Sequence, residues 1–322
     1  MRGFPKTFFA AVPLILACTG AMAQSSFPSR PIRVIVPFAA GSTTDQVARF
    51  IGQHVTEQTR QPVVVENKPG ANGIIGIQYA LSQPADGYTV IITTSTTHAS
   101  NASLYRKMPY DPVADFVPIA GISLGGMVLA VSPTVKAENV PELIALARDK
   151  PGTLTFGSAS SWTLAGGELF KQQAKVDILH IPYKAMSAVV GDIIGGRVDM
   201  TFGDSLSIMP QVRNGKLRAL GVSTRNRMPG LETVPTIAEQ GVPGYELSGW
   251  VAAFAPKGTP AEVADKLNEV ITTAVRMPEA ARLFCESGWR PMPMSRQELA
   301  DFQKKDIERW SRIVKTAKME LE

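Results

Sequence analysis

From Ile32 onward, short runs of branched apolar residues alternate with longer stretches whose apolar positions recur every three or four residues. The runs "IRVIVPF", "PVVVEN", "YTVIITTS", "MVLAVSP", "LTFGSAS", "DILHIPY", "VDMTFGD", "LRALGVST" and "SGWVAAFAP" predict strands. Between them "DQVARFIGQHVTEQT", "GIIGIQYALSQ", "VPELIALARDK", "GGELFKQQAK" and "AVVGDIIGGR" predict helices. Strands that are apolar throughout, each followed by an amphipathic helix, belong to mostly parallel sheets covered on both faces. The fold class is therefore α/β. The tail departs from this rhythm, with "PAEVADKLNEVITTAVRMPEAARLF" and "SRQELADFQKKDIERWSRIVKTAKM" predicting two closing helices. Thr259 or Pro260 starts the first and Ser295 the second, where Glu298 three places on completes a capping box. Only "GWRPMPM" separates them.

Two stretches interrupt the alternation. "KMPYDPVADFVPIAGISLGG" (Lys107 to Gly126) and "STRNRMPGLETVPTIAEQGVPGYELSGW" (Ser223 to Trp250) are rich in proline and glycine, with no helix to fill them. Read as inter-domain crossings, they divide the chain into one lobe of residues 24–124 plus 246–322 and another of residues 125–245, hinged around a cleft that closes on a ligand. Read otherwise, they are long surface loops on a single large sheet.

The first residues change the setting. Arg2 and Lys6 precede an apolar run from Phe8 to Ala17 and then Ala21-Met22-Ala23, the arrangement of a cleavable secretory signal. The run falls short of the roughly 20 residues that span a bilayer. Cleavage after Ala23 leaves a mature chain beginning at Gln24, and Cys18 offers a lipidation alternative that Leu16 suits poorly. Residues 1–23 carry two of the positive charges and none of the negative ones, so the net charge falls from +5 to +3. That charge is dispersed, which argues against a nucleic-acid partner. Of the two cysteines only Cys285 stays in the mature chain. An exported protein without a disulfide depends on its apolar core, and 44% hydrophobic residues supply one. The expectation is a periplasmic monomer that does not itself span the membrane.

The chemistry lies in the strand exits. In parallel sheets, ligands sit beyond the carboxyl ends of the strands. The exits here are "PFAAGSTTD", "NKPGANG", "TTSTTHAS", "GSASSWT", "PYKAMSA" and "FGDS". The first leads into a helix with Asp45 or a threonine as its cap. Such small residues let a ligand approach the backbone, and helix N-termini present unpaired N–H groups to an anion. No GxxxxGK[ST] or GxGxxG nucleotide pattern is present. Lys68 and Lys184 are the basic residues in these loops. A phosphate usually recruits basic side chains, whereas N–H and hydroxyl groups suffice for a carboxylate. A small carboxylate is the expected ligand, and tight turning alone is the competing explanation of the small residues. Polar candidates from the other exits are Ser95, Thr97 and His98, then Ser158, Ser160 and Ser161, and finally Tyr183, Lys184 and Asp204.

The ordered set "RPIRVIVPFAAGSTTDQVAR", "VVVENKPGANGIIG", "PADGYTV", "YDPVADFVPIAGI", "LTFGSAS…LAGGELFK", "HIPYK" and "GDIIGGRVDMTFGD" resembles the Bug family of periplasmic solute receptors, the binding proteins of tripartite tricarboxylate transport systems. The resemblance covers essentially the whole mature chain. It implies a two-lobed Venus-flytrap fold, membrane permease subunits as partners, and two loops of the first lobe that clamp a ligand carboxylate, partly through ordered water. The first clamp loop falls on Phe38, Ala39, Ala40, Gly41, Ser42, Thr43, Thr44 and Asp45, and the second on Asn67, Lys68, Pro69, Gly70, Ala71, Asn72 and Gly73. Ala39 and Ser42 depart from the family's proline and glycine. In the second lobe, which sorts ligands, "SSWTLAGG" and "YKAMSAV" replace the family's usual strings, so the ligand is not carried over with the fold.

Enzymatic readings are weaker. "GISLG" (Gly121 to Gly125) matches GxSxG, but an elbow needs a helix after it and a strand-like run follows instead. "FGDSL" (Phe202 to Leu206) matches a second esterase string whose histidine should come later, yet the last histidine is His180. His54, His98 and His180 are too scattered for a metal site, and no metal or cofactor is expected. An exported α/β hydrolase, or a ligand-sensing protein for a regulatory partner, is the alternative to a receptor. Trp162 stands out among the small loop residues. It either packs into the second lobe or the junction, or stands at the cleft mouth facing Phe38 and favours an aromatic carboxylate.

Overall fold

The computed structural model describes residues 27–286, 288–316 and Met319, so the signal sequence, its cleavage site and Cys18 lie outside the described residues. The ten strands form one hydrogen-bonded network that divides into two sheets joined through a shared strand, each covered by helices, among them α3 (Asn101–Leu104), α4 (Val140–Asp149) and α6 (Met186–Ile194), giving a two-lobed α/β architecture. In the first sheet, β1 (Ile32–Val36) pairs in parallel with β2 (Val63–Asn67) and β3 (Thr89–Thr94). In the second, β5 (Thr155–Ser158) pairs in parallel with β6 (Leu179–Pro182) and β7 (Met200–Asp204). These are the strands expected from the apolar runs. Ile35, Val36, Ile91, Ile92, Phe156 and Phe202 are fully buried, as a doubly covered sheet requires.

The first crossing differs from expectation. Lys107 to Gly126 is not a long loop, because β4 runs unbroken from Phe116 to Val131. Up to Gly126 it pairs antiparallel with β9 (Ser248–Pro256), and from Met127 it pairs antiparallel with β7 and β8 (Arg218–Val222). One strand thus belongs to both sheets and changes partners between Gly126 and Met127. Its antiparallel neighbours make each sheet mixed rather than purely parallel, since the chain that crosses on β4 must return beside it. Ser223 seals the junction: its Oγ accepts from Met127 N at 2.8 Å and donates to Leu247 O at 2.7 Å.

The tail differs too. The expected single helix after Pro260 is two, α8 (Ala261–Val275) and α9 (Pro278–Glu286), divided where Pro278 cannot continue the hydrogen bonding. "GWRPMPM" contains a strand, β10 (Arg290–Met294), which lies antiparallel to β4. The closing helix α10 (Arg296–Thr316) has the capping box expected, with the Glu298 carboxylate accepting from Ser295 N at 2.8 Å and Ser295 Oγ accepting from Glu298 N at 3.3 Å. Its buried Asp306 accepts from Trp250 Nε1 at 2.7 Å and so ties α10 to the start of β9.

Candidate functional site

The loops after β1, β2 and β3 face those after β5 and β7 across a cleft of about 750 Å³. Its first wall begins with α1 (Thr43–Thr59). Ser42, not Asp45 or a threonine, is the cap: its Oγ accepts from Asp45 N at 3.3 Å. Thr43 and Thr44 are then the first two helical residues, and neither N–H has an acceptor within the helix. Both residues line the cleft with Phe38, Ala39, Gly41 and Ser42. The second wall is the loop after β2, where Gly70, Asn72 and Gly73 reach the cleft ahead of α2 (Ile74–Leu81).

Asp45 serves this wall from beneath. Its carboxylate accepts from Gly41 N at 2.8 Å and from Asn67 Nδ2 at 3.0 Å, and Asn67 Nδ2 also donates to Phe38 O at 3.1 Å. Asp45 and Asn67 therefore weld the two loops together and stay off the cleft wall. The Gly41 N–H is spent on Asp45 and is not available to a ligand. Burial would raise the Asp45 carboxyl, but the Arg49 guanidinium, the Gly41 N–H and the Asn67 amide outweigh it and hold it below the ordinary carboxylate range. Arg49 matters for a second reason. Asp45 sits at the helix terminus that would hold an anion, and Arg49, 3.0 Å away, offsets its charge. Arg49→Ala should weaken binding of a carboxylate about threefold, the usual range for a half-exposed ion pair. Calorimetry at low salt checks this, and unchanged affinity would show that the charge of Asp45 does not reach the ligand.

The other candidates divide. Ser95, Ser160, Trp162 and Asp204 are on the cleft wall, whereas Ala40 and Ala71 are exposed beside it. Thr97 and His98 are fully buried away from it. A π-helical turn, Thr96–Ser100, rotates them inward, and Thr94 and Thr96 take the wall beside Ser95. His98 stacks on Phe254 with ring centroids 4.0 Å apart, meets Phe116 edge-on, and pairs Nδ1 with Thr97 Oγ1 at 2.9 Å. Burial pushes its pKa down to about 3. Ser158 lies 2.8 Å from His180 Nε2 behind the wall. Ser161 accepts from Asn72 Nδ2 at 3.4 Å, which links the two sides of the cleft. Tyr183 donates to Asp192 at 2.6 Å, and burial together with Asp192 pushes its hydroxyl up to about 12. Lys184 is exposed, and Lys68 lies over the Tyr79 ring. Neither lysine lines the cleft. Among the described residues Asp204 is the one charged side chain that does.

Trp162 lies at the junction and also lines the cleft with Phe38. It opens α5 (Ser161–Ala174) and packs on the junction, close against Gly249, while still forming part of the wall. Beside it stands Trp289, whose ring centroid is 6.4 Å away. Sequence reasoning missed Trp289 because it follows a helix rather than a strand exit, missed Gly249 and Val251 because they lie within β9, and stopped just short of Leu206 and Ser207 beyond the β7 exit. Neither hydrolase-like string presents an exposed serine. Ser123 is fully buried inside β4, and Ser205 is buried in the first turn of α7 (Ser205–Arg213). Among the described residues no histidine, cysteine and carboxylate cluster could hold a metal, and no helix is long and apolar enough to cross a membrane.

Comparison with known proteins agrees with the fold. The family described as "Tripartite tricarboxylate transporter family receptor" matches residues 47–319. A protein of Pseudomonas sp. (strain P51), named "UPF0065 protein in tcbD-tcbE intergenic region", is 36% identical over 94% of this chain and 91% of its own. The solved structure of R. palustris Rpa4515 with adipate superposes with a TM-score of 0.83 at 36% identity, covering 91% of this chain and 98% of that one. The periplasmic binding protein BugD superposes with a TM-score of 0.80 at 28% identity, covering 92% and 100%.

Proposed function

Because the chain belongs to the tripartite tricarboxylate transporter receptor family, we propose that it is a periplasmic receptor whose cleft takes up a small carboxylate and delivers it to a membrane permease. The family is one of receptors rather than enzymes, in keeping with the burial of Ser123 and Ser205. The reading is supported by the first turn of α1, where Thr43 and Thr44, whose N–H groups have no acceptor within the helix, line with Gly70, Asn72 and Gly73 a cleft without a basic side chain among the described residues. A helix terminus and oriented amides hold one carboxylate without a counter-charge. The likeness to Rpa4515, whose structure contains adipate, supports the same ligand class.

In this reading residues 24–124 plus 246–322 form the clamp lobe and residues 125–245 the sorting lobe, and the two close about the Gly126–Met127 junction. A thermal-shift screen of the mature protein over mono-, di- and tricarboxylates should raise Tm for a subset of them, by mass action on the folded state. Scattering at saturation should then give a smaller radius of gyration than without ligand. No stabilisation by any carboxylate would overturn the receptor reading, and unchanged scattering at proven saturation would overturn closure alone.

A further inference from the structure

The cleft has a floor as well as a clamp. Trp162 and Trp289 lie side by side there, tilted 53° to each other, with Phe38 reaching in from the clamp side. Both indoles are pressed onto glycine backbone at the junction. A Cβ on Gly249 would fall 2.9 Å from Trp162 Cζ2, and a Cβ on Gly125 would fall 2.4 Å from Trp289 Cδ2. No side chain fits beneath either ring, so the rings cannot sink away, and half-buried Trp162 and the small exposed part of the largely buried Trp289 line the cleft. Aromatic surface held rigid in this way suits a flat, polarisable ligand body, which gains stacking at little entropic cost.

Charge narrows the class further. The clamp side supplies backbone N–H groups for one carboxylate. The opposite wall supplies the carboxylate of Asp204, which already accepts from Ser207 N and Ser207 Oγ, each at 2.9 Å, and retains lone pairs for more donors. A second ligand carboxylate on that side would meet an anion and, among the described residues, no cation. A hydroxyl or ammonium would be welcome there.

Resting on the receptor reading above, we propose that the preferred ligand is a planar, ring-bearing monocarboxylate with a hydrogen-bond donor at its far end. The carboxylate sits at the first turn of α1, the ring lies on Trp162 and Trp289, and the donor meets Asp204. No bond is made or broken. The proposal concerns only which carboxylates this cleft ranks highest.

The test is calorimetry on the mature protein with 4-hydroxybenzoate, 4-hydroxycyclohexanecarboxylate, terephthalate and adipate. The expected order places 4-hydroxybenzoate about two- to tenfold ahead of its saturated-ring counterpart, the size of effect aromatic stacking gives. Terephthalate should bind more weakly than 4-hydroxybenzoate. Asp204→Asn, which preserves the cap of α7, should narrow that gap. Trp289→Leu should weaken 4-hydroxybenzoate roughly five- to tenfold and leave adipate within about twofold. Should Trp289→Leu fail to fold, Trp162→Leu provides the same comparison. Binding of adipate without binding of either ring monocarboxylate overturns this proposal and leaves the receptor reading intact. Equal losses for ring and chain ligands in the tryptophan variant overturn the stacking role. Binding of none of the four overturns the receptor reading and this proposal together.

Discussion

Replacing Gly73 by valine is expected to lower affinity for any carboxylate held by the clamp about a hundredfold. Gly73 precedes α2 with φ +87°, a region that β-branched residues avoid at a cost of about 1–3 kcal/mol. Its environment adds to this, because a Cβ there would stand 2.5 Å from Thr97 Cγ2 and 3.4 Å from Pro37 Cβ. Thr97 cannot retreat. It is fully buried, and its Oγ1 is engaged by Thr93 at 2.6 Å and His98 at 2.9 Å. The loop must lift instead, carrying Gly70 and Asn72 off the wall they share with Thr43 and Thr44. Calorimetry with the best carboxylate from the screen measures the loss. Full affinity in a folded Gly73→Val protein would mean that this loop takes no part in binding.

The second large effect concerns stability against pH. His98 has a folded pKa near 3 because its ring is sealed between Phe254 and Phe116, whereas in the unfolded chain it titrates near 6.5. The unfolded state therefore takes up the proton first. The stability that His98 protects is complete above about pH 6.5 and is lost as pH falls toward 3. At about 1.4 kcal/mol per pH unit, the loss between pH 6.5 and 4.5 amounts to about 2–3 kcal/mol. His180 is shifted the same way by burial, and the depressed Asp45 adds its own loss only below about pH 4. Urea titrations at pH 6.5, 5.5 and 4.5 on wild type and His98→Gln measure the term. Equal slopes in both proteins would show that His98 is not its source.

Much of the fold could be read from the chain because the strands are branched apolar runs, and such runs leave few conformational options. What escaped reading did so for local reasons. β10 contains Pro291 and Pro293, which ordinarily argue against a strand; lying against β4 alone, it forgoes the full ladder that prolines would break. The continuity of β4 was hidden by Pro118, Gly121, Gly125 and Gly126, which read as turn signals. Within the fold, Gly125 and Gly126 instead give room to Trp289 and to Thr224. The loops after β1 and β2 were legible as cleft wall because a chain built of glycine, alanine and hydroxyl residues has little to offer except its backbone. The inward turn of Thr97 and His98 was not, since one extra residue in a helical turn redirects side chains without leaving a mark in composition. Trp289 was out of reach for another reason: tertiary packing alone brings it to the cleft.

The sharing of β4 also bears on how such a molecule is put together. Met127 and Leu247, where the chain passes into and out of the second sheet, both hydrogen-bond Ser223 Oγ. The intervening segment thus leaves and returns at one point, the arrangement of a domain inserted into a host, where adjacent ends let the guest be accommodated without displacing its neighbours. Yet the guest is not detachable in the way that arrangement usually permits, because its border runs through the middle of a hydrogen-bonded strand. A cut between Gly126 and Met127 leaves Phe116–Gly126 with one sheet and Met127–Val131 with the other, and the return through Leu247 still joins them. Insertion by topology and fusion by secondary structure coexist here, so the two lobes are separate as surfaces and inseparable as parts.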